Sequence, residues 1–412
     1  MGVAMLKDKE IVLCVTGGIA AYKSAELVRL LKKAGASVHV VMSRSAQEFI
    51  TPLTLQTLSA NPIHTELFNL IAEQEIGHIS LADRADLFII APATANVIGK
   101  IANGIADDLL TTTVMATKAP VLIVPAMNVN MYQNPLYRAN EERLKAHGYR
   151  FVAPVRGELA CGWEGEGKMQ EPRIIVEEAV ATLSPRDLEG LRLLVTAGPP
   201  MEEIDPVRYV SNHSSGKMGF SIARAARRRG AAVTLVTGPT CLEAPWGVVT
   251  VPVTSALEMR EKVLTLAADA DVIVKAAAVA DYRPAVRADD KVKKKSERMT
   301  LDLVKNPDIL AELGERKRPG QCLVGFAAET ADLVANARLK LEGKNLDLIV
   351  ANDVGAPGAG FSVDTNIVRL LYRDGRDEGL PCLPKDEVAG IILDRIATLR
   401  NEDKGTRIKE RG

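Results

Sequence analysis

Short apolar runs alternate with amphipathic segments along this chain, and this alternation constrains the fold more than any other feature. Each run has the length of a strand buried on both faces, and each amphipathic segment has the length of a covering helix. The sequence therefore predicts an α/β fold built on parallel sheets. The predicted strands are 11–16, 37–42, 87–91 and 121–124 in the first half, and 191–196, 232–237, 271–275, 322–326 and 346–350 in the second.

The same pattern predicts helices and two domains. Predicted helices span 22–33, 94–101 and 135–147, and others begin near Gly216, Ser255, Pro307 and Thr330. The alternation pauses at 184–187 and restarts at Leu191, so we place a boundary near residue 190. Because 412 residues exceed the usual size of a single core, we expect two Rossmann-like parallel-sheet domains, 1–189 and 190–412.

Composition limits the environment and the partners. The chain has 52 basic and 52 acidic residues, so no global field favours nucleic acid or an anionic membrane surface. No apolar run reaches the roughly 20 residues that a membrane span needs. The five cysteines are scattered and form no CxxC pair, which argues against a disulfide framework or a zinc site. We expect a cytoplasmic protein with small-molecule partners.

Polar motifs in the first half follow predicted strands directly, at 16–18, 91–94 and 125–128. Ligands of parallel α/β sheets bind beyond the carboxyl ends of the strands. The glycine pair after Thr16 favours a structural turn and a phosphate cradle about equally. It lacks the GxGxxG fingerprint of dinucleotide sites, so a phosphate or flavin mononucleotide (FMN) fits better than NAD.

Three further residues of the first half suggest chemistry only when they are taken together. His78 alone is more often structural, Asn128 alone is usually a turn former, and Cys161 alone would be a small buried hydrophobe. A base that titrates near neutral pH, a carboxylate-binding amide and a thiol in a glycine-rich loop suit acid–base work on a bound substrate.

The second half contains a different set of polar motifs. Asn212, two serines and Gly216 precede a predicted helix, which is typical of a capped turn or an anion-binding loop. The lysine run that begins at Lys291 is usually a solvated face. Together with Asp281, the same run could neutralise a triphosphate and a developing charge.

Several motifs of the first half carry a family resemblance. The segments GGIAAYK, APATAN, ADDLL, PAMN and LACG-x-x-G-x-G-K-M resemble the flavin-containing cysteine decarboxylases, in the phosphopantothenoylcysteine decarboxylase branch, over residues 8–182. The resemblance implies a flavodoxin-like fold in which FMN oxidises the substrate thiol to a thioaldehyde, so that carbon dioxide can leave. It also implies that His78 is the base, Asn128 binds the carboxylate and Cys161 donates a proton. The residues that would hold FMN are Gly18, Ser43, Thr94 and Asn96.

The second half, from about residue 190 to about 400, is similar to the phosphopantothenate–cysteine ligase domain. The bacterial type of that family uses CTP and Mg²⁺ to form an acyl-cytidylate, which cysteine then attacks. The resemblance implies that Lys291 supports formation of this intermediate and that Asn212 supports its conversion. The residues that would contact CTP are Ala276, Asp281, Lys291, Pro307, Asp308, Phe326, Lys340 and Lys344. The chain departs from the ligase pattern at Pro200, where threonine is frequent, and from the decarboxylase pattern at Lys168, where arginine is usual.

Together these resemblances imply a bifunctional enzyme of coenzyme A biosynthesis that acts on 4′-phosphopantothenate, cysteine and CTP. They also imply a homo-oligomer, with a trimeric decarboxylase and a dimeric ligase. One alternative is a flavin-binding regulatory or assembly protein without turnover, and another is an NAD-dependent dehydrogenase. The set of His78, Asn128 and Cys161 argues against the first alternative, and the missing dinucleotide fingerprint argues against the second. The sequence alone leaves the choice between CTP and ATP open.

Overall fold

A computed structural model describes residues 5–67, 77–158, 164–293, 297–329, 332–353, 360 and 363–411. The chain divides into two compact units, Met1–Ser184 and Pro185–Gly412. The domain boundary predicted near residue 190 lies a few residues after this division. No helix in the described ranges is long and apolar enough to cross a membrane.

The N-terminal unit is a six-stranded parallel sheet with helices on both faces. Its strands are β1 (Glu10–Val15), β2 (Ser37–Met42), β3 (Ile63–His64), β4 (Leu87–Ala93), β5 (Val121–Pro125) and β6 (Arg150–Phe151). A hairpin adds β7 (Val155–Glu158) and β8 (Glu164–Lys168). The helices are α1 (Lys23–Lys33), α2 (Pro52–Ser59), α3 (Gly77–Arg84), α4 (Ala95–Ala102), α5 (Leu109–Ala116), α6 (Val129–Gln133), α7 (Pro135–Ala146) and α8 (Pro172–Leu183).

The strand order of this sheet is β3-β2-β1-β4-β5-β6, and it reverses between β1 and β4. Without the two-residue β3, the order is that of flavodoxin-like sheets, as predicted. Alternate residues of β1 enter two cores: Leu13 packs with α1 and α8, while Cys14 packs with α4 and α5. Burial on both faces explains why β1 is a continuous apolar run.

The C-terminal unit has an eight-stranded sheet of order β13-β12-β9-β14-β17-β18-β20-β21. Its strands are β9 (Arg192–Ala197), β12 (Ala232–Thr237), β13 (Val249–Pro252), β14 (Val272–Lys275), β17 (Cys322–Glu329), β18 (Leu348–Asp353), β20 (Val368–Tyr372) and β21 (Asp377–Gly379). Three small antiparallel pairs are β10 (Glu202–Glu203) with β11 (Tyr209–Val210), β15 (Tyr282–Pro284) with β16 (Leu303–Lys305), and β19 (Thr365–Asn366) with β22 (Leu383–Pro384). The helices are α9 (Lys217–Arg228), α10 (Ala256–Ala267), α11 (Ile309–Glu315), α12 (Leu333–Gly343) and α13 (Lys385–Arg411).

Six neighbouring strands of this sheet are parallel, and the strand order reverses between β9 and β14. The α/β fold class predicted for both halves is confirmed. The pattern did not predict the last two strands, β20 and β21, which are antiparallel. They are joined by a tight turn in which Gly375 has a φ of +93°, and a hairpin of this kind needs no crossover helix.

Candidate active sites

The first candidate site lies where the strand order of the N-terminal unit reverses, between β1 and β4. Thr16, which follows β1, is fully buried. Its hydroxyl donates to the Pro92 carbonyl oxygen at 2.7 Å and accepts the Thr94 N–H at 3.0 Å. These two bonds hold the turns after β1 and β4 side by side at the carboxyl edge of the sheet, where such folds bind ligands.

The two glycines after Thr16 serve different purposes. A Cβ atom at Gly17 would lie 2.3 Å from the Cβ of Ser45, so only glycine allows this packing. At Gly18 the nearest atom to such a Cβ is the Thr94 Cγ2, at 3.9 Å, so this position faces open space. The turn is therefore packed tightly on one side and is accessible to a ligand on the other.

Ser43 and Asn96 lie near this crevice, after β2 and β4 respectively. The Ser43 hydroxyl accepts the Ala46 N–H at 3.3 Å, and Ser43 also lines a cavity of about 340 Å³ together with Asp108. Asn96 is exposed in the first turn of α4, where the helix N–H groups favour an anion. The residues predicted to hold FMN therefore lie along one edge of the sheet.

Asn128 begins α6, and the β7–β8 hairpin lies directly against it. The Asn128 Oδ1 accepts the Asn130 N–H at 2.9 Å, which orients the amide with its Nδ2 end as the donor. A Cβ at Gly167 would lie 2.3 Å from the Met127 carbonyl oxygen, and a Cβ at Gly165 would lie 2.6 Å from the Val129 Cγ2. The glycines of the predicted loop thus let one strand of the hairpin pack against the segment that carries Asn128.

Cys161 lies outside the described residues, between the two strands of this hairpin. Two contacts of Lys23 that were not predicted from the sequence hold the residues that follow β8. The Lys23 ammonium, at the start of α1, pairs with Glu171 at 2.9 Å and donates to the Met169 carbonyl oxygen at 3.4 Å. The signal in the sequence was weak because a lysine at the start of a helix usually faces solvent.

His78 lies in the first turn of α3. Its Nδ1 atom is buried without a hydrogen-bond partner in the part of the chain that the structure describes. A buried polar atom without a partner costs free energy, so it marks His78 as a candidate for contact with a bound molecule. Neither His78 nor Asn128 is among the described residues that line the cavity beside Ser43.

The second candidate site lies in the C-terminal unit, where a threonine hydroxyl again forms a hydrogen bond across the point at which strand order reverses. Thr196, near the end of β9, is fully buried, and its hydroxyl oxygen accepts the Ala277 N–H at 3.1 Å. Ala277 follows β14, so this bond also crosses the point where the strand order reverses.

In the C-terminal unit, other residues of the chain pack over the turn that follows β9. A Cβ at Gly198 would lie 2.8 Å from the Thr240 Cγ2, and a Cβ at Gly216 would lie 2.9 Å from the same atom. Thr240 and the segment before α9 therefore occupy the place above β9 and β12. A cavity of about 600 Å³ lies beside Thr240 on this side. Most of the residues predicted to contact CTP lie on the other side of the reversal point, over β14 and β17.

A cavity of about 560 Å³ is found there. Asn212 and seven of the residues predicted to contact CTP line it: Ala276, Asp281, Pro307, Asp308, Phe326, Lys340 and Lys344. Within the cavity, the Asn212 Nδ2 donates to the Ala278 carbonyl oxygen at 3.0 Å. Buried Asn306, which was not singled out from the sequence, joins two walls by donating to the Ala280 carbonyl oxygen at 2.9 Å.

Charged groups of the cavity interact with one another. Asp308 caps α11 and pairs with the Lys344 ammonium at 2.7 Å. Burial opposes ionisation of Asp308, but Lys344 and the Ala311 N–H outweigh it, so the pKa of this carboxyl lies below its usual value. Burial, assisted by Lys344 and opposed by Asp308, lowers the pKa of Lys275 to about 8.

Lys291 is exposed and is not among the described residues that line this cavity. The neighbouring Val292 is held by Asp205, whose Oδ2 accepts the Val292 N–H at 3.1 Å. The Arg208 guanidinium holds the pKa of Asp205 well below its usual range. Asp205 therefore ties the start of the lysine run to the segment that precedes Asn212, a link that spacing along the chain could not reveal.

The chain was compared with known proteins. The flavoprotein family model matches residues 3–184, and the model of the DNA/pantothenate metabolism flavoprotein C-terminal domain matches residues 188–399. The coenzyme A biosynthesis bifunctional protein CoaBC of Bacillus subtilis is 50% identical over 402 residues, which covers 97% of this chain and 99% of the relative. The protein of that name from Escherichia coli K12 is 48% identical over 406 residues, or 98% of this chain and 100% of the relative.

Among solved structures, the C-terminal domain of a CoaBC protein is 44% identical and covers 53% of this chain and 99% of that chain, with a TM-score of 0.46. The full-length matches include both units, and each unit matches its own family model. The chain therefore belongs to the family of bifunctional coenzyme A biosynthesis proteins.

Proposed function

We propose that this chain catalyses two consecutive steps of coenzyme A biosynthesis. The C-terminal unit joins cysteine to 4′-phosphopantothenate with CTP, and the N-terminal unit decarboxylates the product to 4′-phosphopantetheine. The observation that carries the proposal is the cavity over β14 and β17, where Asn212 and seven of the residues expected to contact CTP line one space.

The ligase chemistry requires two displacements. The carboxylate of phosphopantothenate attacks the α-phosphorus of CTP and releases pyrophosphate, which gives an acyl-cytidylate. The amine of cysteine then attacks the acyl carbon, CMP leaves, and the amine loses a proton. Negative charge builds on phosphate oxygens in the first displacement, so fixed cations such as Lys340 and Lys344 stabilise it.

Asn212 has a geometry suited to the second displacement. Because its Nδ2 donates to the Ala278 carbonyl oxygen, the amide presents Oδ1 as an acceptor for an N–H of the incoming cysteine. Lys291 would act at the first displacement from the segment that Asp205 anchors. Mg²⁺ would enter with the phosphates of CTP, as is usual for this ion in nucleotide-dependent enzymes.

In the N-terminal unit, the proposed cofactor is FMN. The turn at Gly18, the Ser43 hydroxyl and the start of α4 would hold its phosphate, and the match to the flavoprotein family supports a flavin at this edge. When bound, the flavin accepts electrons from the substrate thiol, so the carboxylate lies β to an electron-withdrawing C=S group and can leave as carbon dioxide.

The side chains of this unit bind the substrate and move protons. The donor end of the Asn128 amide binds the substrate carboxylate, since its Oδ1 is engaged by Asn130. The His78 imidazole takes up a proton released in the oxidative half, and the Cys161 thiol returns one in the reductive half. Strand β8, which follows Cys161 in the sequence, packs against the segment that contains Asn128, and this supports their action on one substrate.

We also propose a homo-oligomer, trimeric through the N-terminal unit and dimeric through the C-terminal unit. In the C-terminal unit, Tyr209, Tyr282 and Leu303 of the small hairpins are exposed by 52%, 53% and 43%. In the N-terminal unit, Ile19 and Leu53 are exposed by 60% and 71%. Exposed apolar side chains in groups favour contact with another protein surface. Light scattering with size-exclusion chromatography would test both states.

One incubation tests the two activities. Purified protein is mixed with 4′-phosphopantothenate, cysteine, Mg²⁺ and either CTP or ATP, and the products are identified by mass. We expect 4′-phosphopantetheine with CTP and little product with ATP. We also expect a yellow protein with a flavin absorption band. A colourless protein that cannot be reconstituted with FMN would contradict the decarboxylase assignment.

A pair of variants separates the steps. Cys161→Ser should stop the reaction in the reductive half, so that carbon dioxide is lost at most once per bound flavin and no 4′-phosphopantetheine forms, while Cys382→Ser, at an exposed cysteine, should form 4′-phosphopantetheine like the wild type. Equal product from both variants would remove Cys161 from the mechanism.

A further inference from the structure

Lys275 is a lysine in an unusual place. It is the last residue of β14 and only 8% exposed, and it lines the cavity over β14 and β17. Its ammonium donates to the Ala277 carbonyl oxygen at 3.2 Å. Lysine is almost never fully buried unless it is paired. In the described residues no carboxylate forms an ion pair with Lys275.

The charges around Lys275 leave room for an anion. The Asp308 carboxylate, at the start of α11, is already paired with Lys344 at 2.7 Å. Lys340, one turn before Lys344, and Asp281 line the same cavity. The described residues that line this cavity include two aspartates, Asp281 and Asp308, and six lysines, so a multiply charged anion would improve the balance; the lysines are Lys217, Lys275, Lys305, Lys340, Lys344 and Lys385.

We propose that Lys275 is a binding residue for the polyphosphate of the nucleotide, which enters the cavity beside this buried side chain. This inference rests on the proposed function and extends it. No motif pointed to Lys275, since a lysine at the end of a strand normally extends into solvent.

Binding of an anion beside Lys275 should change the protonation of this side chain, and the change can be measured without any assay of activity. Burial lowers the pKa of Lys275 to about 8. The nearby Asp308 carboxylate opposes this shift, and the Lys344 ammonium adds to it. An anion at the ammonium favours the charged form and raises the pKa. At pH 8 the free protein holds about half a proton on this group, so binding takes up roughly half a proton.

The experiment is titration calorimetry of the full chain with CTP and Mg²⁺ at pH 8, in two buffers of different ionisation enthalpy. The difference between the two measured enthalpies gives the number of protons taken up. We expect uptake in the wild type and none in Lys275→Met, together with a roughly tenfold weaker affinity in the variant. Lys262→Met, at an exposed lysine of α10, is the matched control and should behave like the wild type.

A second lysine must be separated from the first. Lys385 also lines the cavity, and burial lowers its pKa to about 8 as well, with Lys217 adding to the effect and Asp364 opposing it. Its ammonium already donates to the carbonyl oxygens of Gly360 and Val363. Lys385→Met should therefore retain the uptake.

Each result decides between these possibilities. Uptake that persists in Lys275→Met, or is lost only in Lys385→Met, overturns the assignment to Lys275 and leaves CTP binding intact. Absence of CTP binding in the wild type overturns both the assignment and the ligase function. Circular dichroism of each variant excludes unfolding as the cause.

Discussion

The two units share a threonine hydrogen bond at the point where the strand order of each sheet reverses, but their candidate sites lie over different strands. In each, a buried threonine at the end of the first strand accepts an N–H from the segment after the neighbouring strand, Thr16 from Thr94 at 3.0 Å and Thr196 from Ala277 at 3.1 Å. The first glycine turn is open at Gly18, whereas Gly198 is covered by Thr240. In both units, therefore, the candidate site lies at the carboxyl edge of the sheet, while the packing over the first turn differs.

The largest expected effect on activity tests whether the two sites are independent. Lys291→Gln should lower pyrophosphate release from CTP at least hundredfold, on the scale of losing one charge-stabilising group, and leave decarboxylation of supplied phosphopantothenoylcysteine unchanged. Lys293→Gln, at the next exposed lysine, is the matched control. Loss of both activities in folded protein would show that the units do not work separately.

The open and covered turns can be compared directly by adding one methyl group to each. Gly198→Ala should destabilise the C-terminal unit by about 4 kcal/mol, because its φ is +69° and its Cβ would meet Thr240 at 2.8 Å. Gly18→Ala should leave stability nearly unchanged, since its φ of −165° suits any residue, but should weaken flavin binding. Urea unfolding and flavin titration measure these effects. Equal destabilisation at both positions would remove the contrast between the turns.

The buried lysine gives the C-terminal unit a pH dependence of its own. The pKa of Lys275 is lowered to about 8 from 10.5, so between these values the unfolded chain binds more protons and stability rises with pH. Lys275→Met should be more stable than the wild type by as much as roughly 3 kcal/mol at pH 7, and the advantage should vanish near pH 10.5. Urea unfolding across this range checks the sign. A difference that does not change with pH would mean that Lys275 is not desolvated.

The shared threonines should give the smallest effect. Thr16→Val and Thr196→Val keep the shape of the side chain and leave a backbone N–H without its acceptor, which costs about 2 kcal/mol. Thr16→Val should cost more, because the Thr16 hydroxyl also donates to the Pro92 carbonyl oxygen. Thermal unfolding followed by circular dichroism measures the difference. Unchanged thermal unfolding in both variants would show that these threonine hydrogen bonds do not contribute to stability.

Local pattern was enough to predict most of the sheet. The strands predicted at 37–42 and 232–237 have those bounds in the structure, and the helix predicted near Ser255 is capped by that residue. Buried parallel strands are continuous apolar runs, so a short stretch of sequence is enough to locate each one. The small hairpins were missed because their strands have two or three residues and too few side chains to alternate visibly.

The candidate sites were predictable where a motif follows a strand and not where a contact joins distant segments. Asn128 comes from such a motif. Asn212 comes from a motif that precedes a helix and Asp308 was implied by the family resemblance, and these two line one cavity. Thr240 lies 42 positions after Gly198, and Asp205 lies 87 positions before Val292, so no spacing rule connects either pair. The roles of His78, Asn128, Cys161 and Lys291 stay predictions.

The hairpin beside Asn128 has a consequence for protein engineering. Gly165 and Gly167 fix its second strand to the backbone of 127–129, and Lys23 secures the residues that follow it. Inserted residues or a reporter group between positions 158 and 164 would then be followed directly by a strand that these contacts hold in place. Libraries that vary those positions and keep Cys161 would leave the shape of the turn at Asn128 unchanged.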